Sequence, residues 1–158
     1  HRDLHSFPTR RSSDLVLDET IDFLRNEAHY RNITIETSFE SGLPQTLSDS
    51  AQLQQVFLNI LNNAIDALKR DGGIHVMTEY GSKDNTIAVK ISDNGPGIPS
   101  EVLAKIFDPF FTTKDVGTGT GLGLSISYSI MEKLGGRIMV ASEVGQGTIF
   151  TIYLPVKS

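Results

Sequence analysis

The 158-residue chain contains no cysteine. That excludes disulfides and thiolate metal sites, and it fits a reducing compartment. No apolar run approaches the ~20 residues that span a bilayer, so no membrane crossing is expected within the chain. Basic clusters are also scarce. The net charge is −5, and no Lys/Arg-rich stretch follows the first dozen residues. The basic face of a nucleic-acid binder is therefore missing. A polyanion can still be held by backbone N–H groups and a divalent cation. Two familiar phosphate motifs are absent: no Gly-Lys-Ser/Thr occurs, and no G-x-G-x-x-G register fits. What remains is ordinary for a globular protein, 39% apolar and 21% charged, with enough length for one domain and a two-layer core.

The first fifteen residues read HRDLHSFPTRRSSDL and show no periodicity. The stretch His5–Leu15 resembles translated sequencing-adapter read-through, matching throughout Ser6–Leu15. A native basic linker is the rival reading. We set residues 1–15 apart as an adapter-derived segment and expect one domain over residues 16–158, cut from its parent near Val16.

Roughly helical spacing of Leu17, Ile21, Phe23, Leu24 and Ala28 predicts a helix from Val16 to about Arg31. Alternation predicts a strand over Ile33–Phe39. Leu53, Val56, Phe57, Ile60, Leu61, Ala64, Ile65 and Leu68 mark the clearest helix, about Ser50 to Arg70. Ser48 or Asp49 is its expected cap, and Gly72-Gly73 its expected end. Strands follow at Ile74–Tyr80 and Thr86–Ser92, then a short helix near Ser100–Phe107. A long loop leads to a helix over Gly121–Leu134, and strands at Arg137–Ala141 and Thr148–Leu154 complete the chain. This order predicts an α+β fold: a two-layer α/β sandwich whose mixed, mostly antiparallel sheet is covered on one face by helices.

Four segments carry candidate chemistry. Asn59, Asn63 and Asp66 are spaced four and three apart, so they share a stripe, expected opposite the apolar one. A solvated face is the plain explanation. Against it, asparagine is a poor helix former, and its amide oxygen suits Mg²⁺. Asp93-Asn94-Gly95-Pro96-Gly97-Ile98 follows an apolar strand. A turn would explain the glycines, but not a carboxylate at the strand end able to accept from an adenine amine. Gly117 to Ser125 places four alternate glycines before a helix, and backbone N–H groups at that start form an anion site. Phe107-Asp108-Pro109-Phe110-Phe111-Thr112-Thr113-Lys114 reads as a lid anchor or a core plug, with Lys114 in reach of a phosphate.

In this order and spacing, the four segments resemble the histidine kinase family of the GHKL ATPase superfamily, over nearly all of Val16–Pro155. Gln55–Leu68 is similar to the asparagine box and Asp93–Ile98 to the first glycine box. Phe107–Lys114 is similar to the phenylalanine box and Gly119–Ser125 to the second glycine box. The Gly145-Gln146-Gly147-Thr148 turn and Leu154-Pro155 are also typical. The resemblance implies a Bergerat-type sandwich holding Mg-ATP under a lid. It implies Asn63 on Mg²⁺, Asp93 on the adenine amine, and Gly121 and Gly123 beside the phosphates. The rest of the nucleotide set it implies is Asn59, Gly95, Gly97, Ile98, Lys114, Gly119, Leu122, Leu124 and Thr148. Some members carry a lysine or arginine three residues after the magnesium asparagine. Here Asp66 stands there, and Lys114 is the expected substitute.

Hydrolysing members of the superfamily (gyrase-, Hsp90- and MutL-like) place a glutamate one turn before that asparagine as general base. Asn59 stands there, and an amide cannot take a proton. The resemblance therefore implies phosphoryl transfer to a histidine, with Asn59 and Lys114 as catalytic candidates. None of His1, His5, His29 and His75 is followed by the acidic residue typical of the acceptor. The acceptor is expected on a separate dimerisation hairpin of the same protein, with a response regulator downstream. Neither nucleic acid nor membrane contact is expected of this domain. The implied location is the cytoplasm, with a parent open to anchoring in the bacterial inner membrane. An ATPase and a non-catalytic nucleotide-binding regulator remain the alternatives.

Overall fold

The computed structural model describes residues 9–11, 13–44, 46–48, 50–109, 111 and 123–156, with backbone alone for 9–11 and 46–48. A five-stranded sheet is built from β2 (Ile33–Phe39), β4 (Gly72–Gly81), β5 (Thr86–Asp93), β6 (Arg137–Glu143) and β7 (Gly147–Pro155). Its order is β2-β4-β5-β7-β6. Only β2 and β4 run parallel; the remaining neighbours are antiparallel. A small antiparallel pair joins β1 (Thr9–Arg11) to β3 (Thr46–Ser48).

Helices α1 (Ser13–Tyr30), α2 (Ser50–Leu68) and α4 (Gly123–Lys133) accompany the sheet, with a short α3 at Ser100–Leu103. The alternation of each strand decides which side they cover. Ile74 and Val76 of β4, Ile87, Val89 and Ile91 of β5, and Phe150, Ile152 and Leu154 of β7 are buried. They share one core with Leu17, Ile21 and Leu24 of α1 and with Leu53, Phe57, Ile60 and Leu61 of α2. The opposite sheet face is open and carries exposed Met139 and Ile149. The expected sandwich is thus the observed one.

Three local expectations are corrected. Asn59, Asn63 and Asp66 are half-buried, so their stripe flanks the apolar one rather than lying opposite it. At 100° per residue they fall beside Val56, between the core face and the exposed Gln55 and Asn62. Gly72 and Gly73 do not end α2 but open β4. The helix ends through Lys69 and Asp71, both at positive φ (65° and 58°), with the Asp71 N–H donating to Arg31 O at 3.0 Å. Helix α1 begins at Ser13, not Val16, because Ser and Asp suit a helix's first turn. Ser13 is fully buried, and its hydroxyl has no partner among the described residues. Asp14 accepts from Thr78 Oγ1 at 3.2 Å. The Ser48 or Asp49 cap lies outside the described side chains.

Candidate nucleotide site

Helix α2 organises the site. Its Asn59 Nδ2 donates to Gly123 O and to Ser127 Oγ, both at 3.1 Å. Ser127 Oγ donates in turn to the same Gly123 carbonyl at 2.9 Å. The first turn of α4 is thereby fastened to α2. Two turns further along α2, the loop after β5 approaches. A Cβ on Gly95 would lie 3.7 Å from Ala67 O and 3.5 Å from Leu68 Cδ2. Asn63 is one turn from each of these contacts. The two glycine motifs thus bracket it on one helix.

The loop itself starts from Asp93, the last residue of β5. Its Oδ1 accepts from the Gly95 N–H at 2.9 Å. Burial raises its carboxyl above the ordinary value of 3.8, and backbone N–H donors from Gly95 and Thr148 pull it partly back. Asn94 clamps the loop to β4, accepting from the Gly73 N–H at 2.9 Å. Gly97 has φ +78°, and a Cβ there would come 2.2 Å from Glu143 O. Only glycine lets the loop pass the β6–β7 turn this closely. Ile98 follows, packed on the core, with its N–H on Ser142 Oγ at 2.7 Å.

Asp93, Thr148 and Ser142 are consecutive cross-strand partners on β5, β7 and β6. Thr148 is buried, and its Oγ1 lies 2.8 Å from Ser142 Oγ. Gly147 precedes it at φ +121°.

Among the aromatics, Phe107 sits between Tyr128 of α4, at 5.4 Å, and Phe150 of β7, at 6.5 Å between centroids. Phe111 packs against the core as well. Leu124 is half-buried on α4 and also core-packed. Asp66 has Arg31 Nη1 at 3.7 Å. His75 lies in β4 beside Ser38 Oγ at 2.8 Å, and His29 is exposed near the end of α1. Lys114, Gly119, Gly121 and Leu122 lie outside the described residues, as do His1 and His5.

The structure therefore brings together Asn59, Asn63, Asp93, Gly95, Gly97, Ile98, Gly123 and Thr148 around the end of the sheet and α2. The sequence reading missed Ser127 and Ser142. Ser142 left a readable signal: it follows Ile138 and Val140 in the alternation of β6, so a hydroxyl occupies a core-facing position.

The profile of the family described as histidine kinase-, DNA gyrase B- and HSP90-like ATPase matches residues 48–158. The catalytic domain of histidine kinase ThkA, nucleotide-free, superposes with a TM-score of 0.84 at 31% identity, covering 94% of this chain and 95% of that one. The chain belongs to this ATPase family, in its histidine kinase branch. ThkA has also been solved in complex with the response regulator protein TrrA; that kinase aligns with a TM-score of 0.81 at 28% identity, over 95% of this chain and 42% of the other. Sporulation kinase E of Bacillus subtilis (strain 168) is 39% identical over 142 residues, which is 90% of this chain but 19% of that kinase. The histidine kinase-type domain described here thus spans about a fifth of that relative's length.

Proposed function

We propose that this domain binds Mg-ATP between α2 and the ends of β5 and β7, and presents the γ-phosphoryl to a histidine on a separate helical hairpin. One observation carries the choice of transfer over hydrolysis. At the position of the general base stands an amide, and its Nδ2 is engaged by Gly123 O and Ser127 Oγ. Asn59 is thus a tether for α4, with no group that can take a proton from water.

The remaining side chains suit the nucleotide. The Asp93 carboxylate accepts from an adenine amine, and the backbone around Gly95 and Gly97 admits close approach. Asn63 supplies an amide oxygen for Mg²⁺. Asn63 would hold the cation of Mg-ATP, which would supply neutralisation of the phosphate charge. Gly119, Gly121, Leu122 and Lys114 complete the phosphate side in this reading.

The histidine belongs to a dimerisation domain of the parent protein, and the phosphoryl passes on to a response regulator, as ThkA's complex with TrrA supports. The domain works in the cytoplasm whether or not its parent is anchored. Residues 1–15 are foreign in this reading. The buried Ser13 hydroxyl, which has no partner among the described residues, supports that, although Asp14 reaches Thr78.

Calorimetric titration tests the site. Asn63→Ala and Asp93→Ala are each expected to weaken Mg-ATP binding at least tenfold, and the wild-type chain to hydrolyse ATP no faster than Asp93→Ala. Unchanged affinity in both variants would refute the site. Turnover lost in Asn59→Ala would place the chain with the hydrolysing members instead.

A further inference from the structure

The hydroxyl of Ser142 touches three groups, and their chemistry leaves one arrangement of protons. The Ile98 N–H can only donate, so at 2.7 Å Ser142 Oγ accepts. The Gly147 carbonyl can only accept, so at 2.9 Å Ser142 donates its single proton there. The third contact, to Thr148 Oγ1 at 2.8 Å, must then be donated by Thr148. Both hydroxyl protons are now in use. Thr148 has lone pairs left and no proton to offer.

Thr148 is the cross-strand partner of Asp93 and is buried. Directly opposed residues on one face of an antiparallel pair lie close enough for both to touch one group. Asp93 is ringed by donors from the backbone: its carboxylate accepts from Gly95 and Thr148 N–H groups. The pair therefore faces a ligand as two acceptors.

We infer that Ser142 is a specificity-determining positioning residue, which holds Thr148 as an acceptor beside Asp93 and so selects adenine over guanine. This rests on the nucleotide reading above. Adenine carries an amine donor where guanine carries the O6 acceptor. Two acceptors with no free hydroxyl proton satisfy the amine and leave O6 facing lone pairs. Were Ser142 absent, Thr148 could rotate its proton outward and donate to O6. Discrimination comes from denying guanine a donor as much as from contacting adenine.

The test is titration of Mg-ATP and of Mg-GTP into the wild-type chain, Ser142→Ala and Ser142→Thr. The wild type is expected to prefer ATP. Ser142→Ala is expected to lower the ATP-over-GTP ratio about fivefold to tenfold, the scale of one net hydrogen bond, and Ser142→Thr to restore it. If Ser142→Ala weakens both nucleotides equally and leaves the ratio intact, Ser142 is only structural and the inference falls. Should Ser142→Ala not fold, Thr148→Val reads the same ratio: a similar fall supports the acceptor role and an unchanged ratio overturns it. A wild-type chain that binds neither nucleotide defeats the nucleotide reading itself, a separate outcome from a preserved ratio.

Discussion

Asp93 sits where solvation and recognition oppose each other. Burial raises its carboxyl above 3.8, and two backbone N–H donors limit the rise. An amine donor binds the carboxylate form. Affinity should therefore be complete above the raised value and decline as pH falls through it, sooner than an ordinary aspartate would dictate. Calorimetric Mg-ATP affinity followed from about pH 7 to about pH 4 should fall in the wild type, and Asp93→Asn should lose the part of that fall due to the carboxyl. Identical profiles for both would remove Asp93 from the base contact. Asp93 stood out in sequence as a candidate, because a carboxylate between an apolar strand and two glycines has few structural reasons to be there. Ser142, the cross-strand partner of Thr148, was not recognised. The alternation of β6 turns it toward the core, but its role shows only when β7 is laid beside it and Ile98 is brought to it from a loop 44 residues away.

At the scale of elements, strand alternation and helical periodicity placed every member of the main sheet and both long helices. Those patterns record burial, and burial is what the sandwich imposes. Termini were less legible. Lys69 and Asp71 close α2 at positive φ, which non-glycine residues seldom adopt, so Gly72-Gly73 was the natural but mistaken choice. The polar stripe of α2 was placed opposite the core, whereas its flanking position lets Asn59 touch α4 and puts Asn63 between two glycine motifs. The β6–β7 hairpin offers a sharper test of how elements fit. A Cβ on Gly147 would sit 2.0 Å from Asp93 O, at φ +121°. Gly147→Ala combines backbone strain with a clash against β5 and should cost about 2–4 kcal/mol in denaturant unfolding. A cost under about 1 kcal/mol would show that the hairpin is looser than its contact with β5 implies.

For the whole molecule, the open question in the sequence was which chemistry a shared fold performs. Fold alone does not decide it. The sandwich and the family match are compatible with hydrolysis and with transfer. In the reading proposed above, the amide of Asn59, tethered to Gly123 and Ser127, is what separates the two. Of the histidines described, His29 lies near the exposed end of α1 and His75 lies in β4 beside Ser38, and neither is followed by an acidic residue. The chain should then be a donor half that needs an acceptor half. The most direct measurement mixes this domain with a histidine-bearing hairpin domain of a related kinase and γ-labelled Mg-ATP, and follows label on the hairpin. The account predicts an acid-labile, base-stable phosphohistidine that disappears with Asn63→Ala or Asp93→Ala. Tight Mg-ATP binding with no label transferred to any histidine hairpin tried, including that of sporulation kinase E of Bacillus subtilis, would contradict it and make the domain a nucleotide-binding regulator.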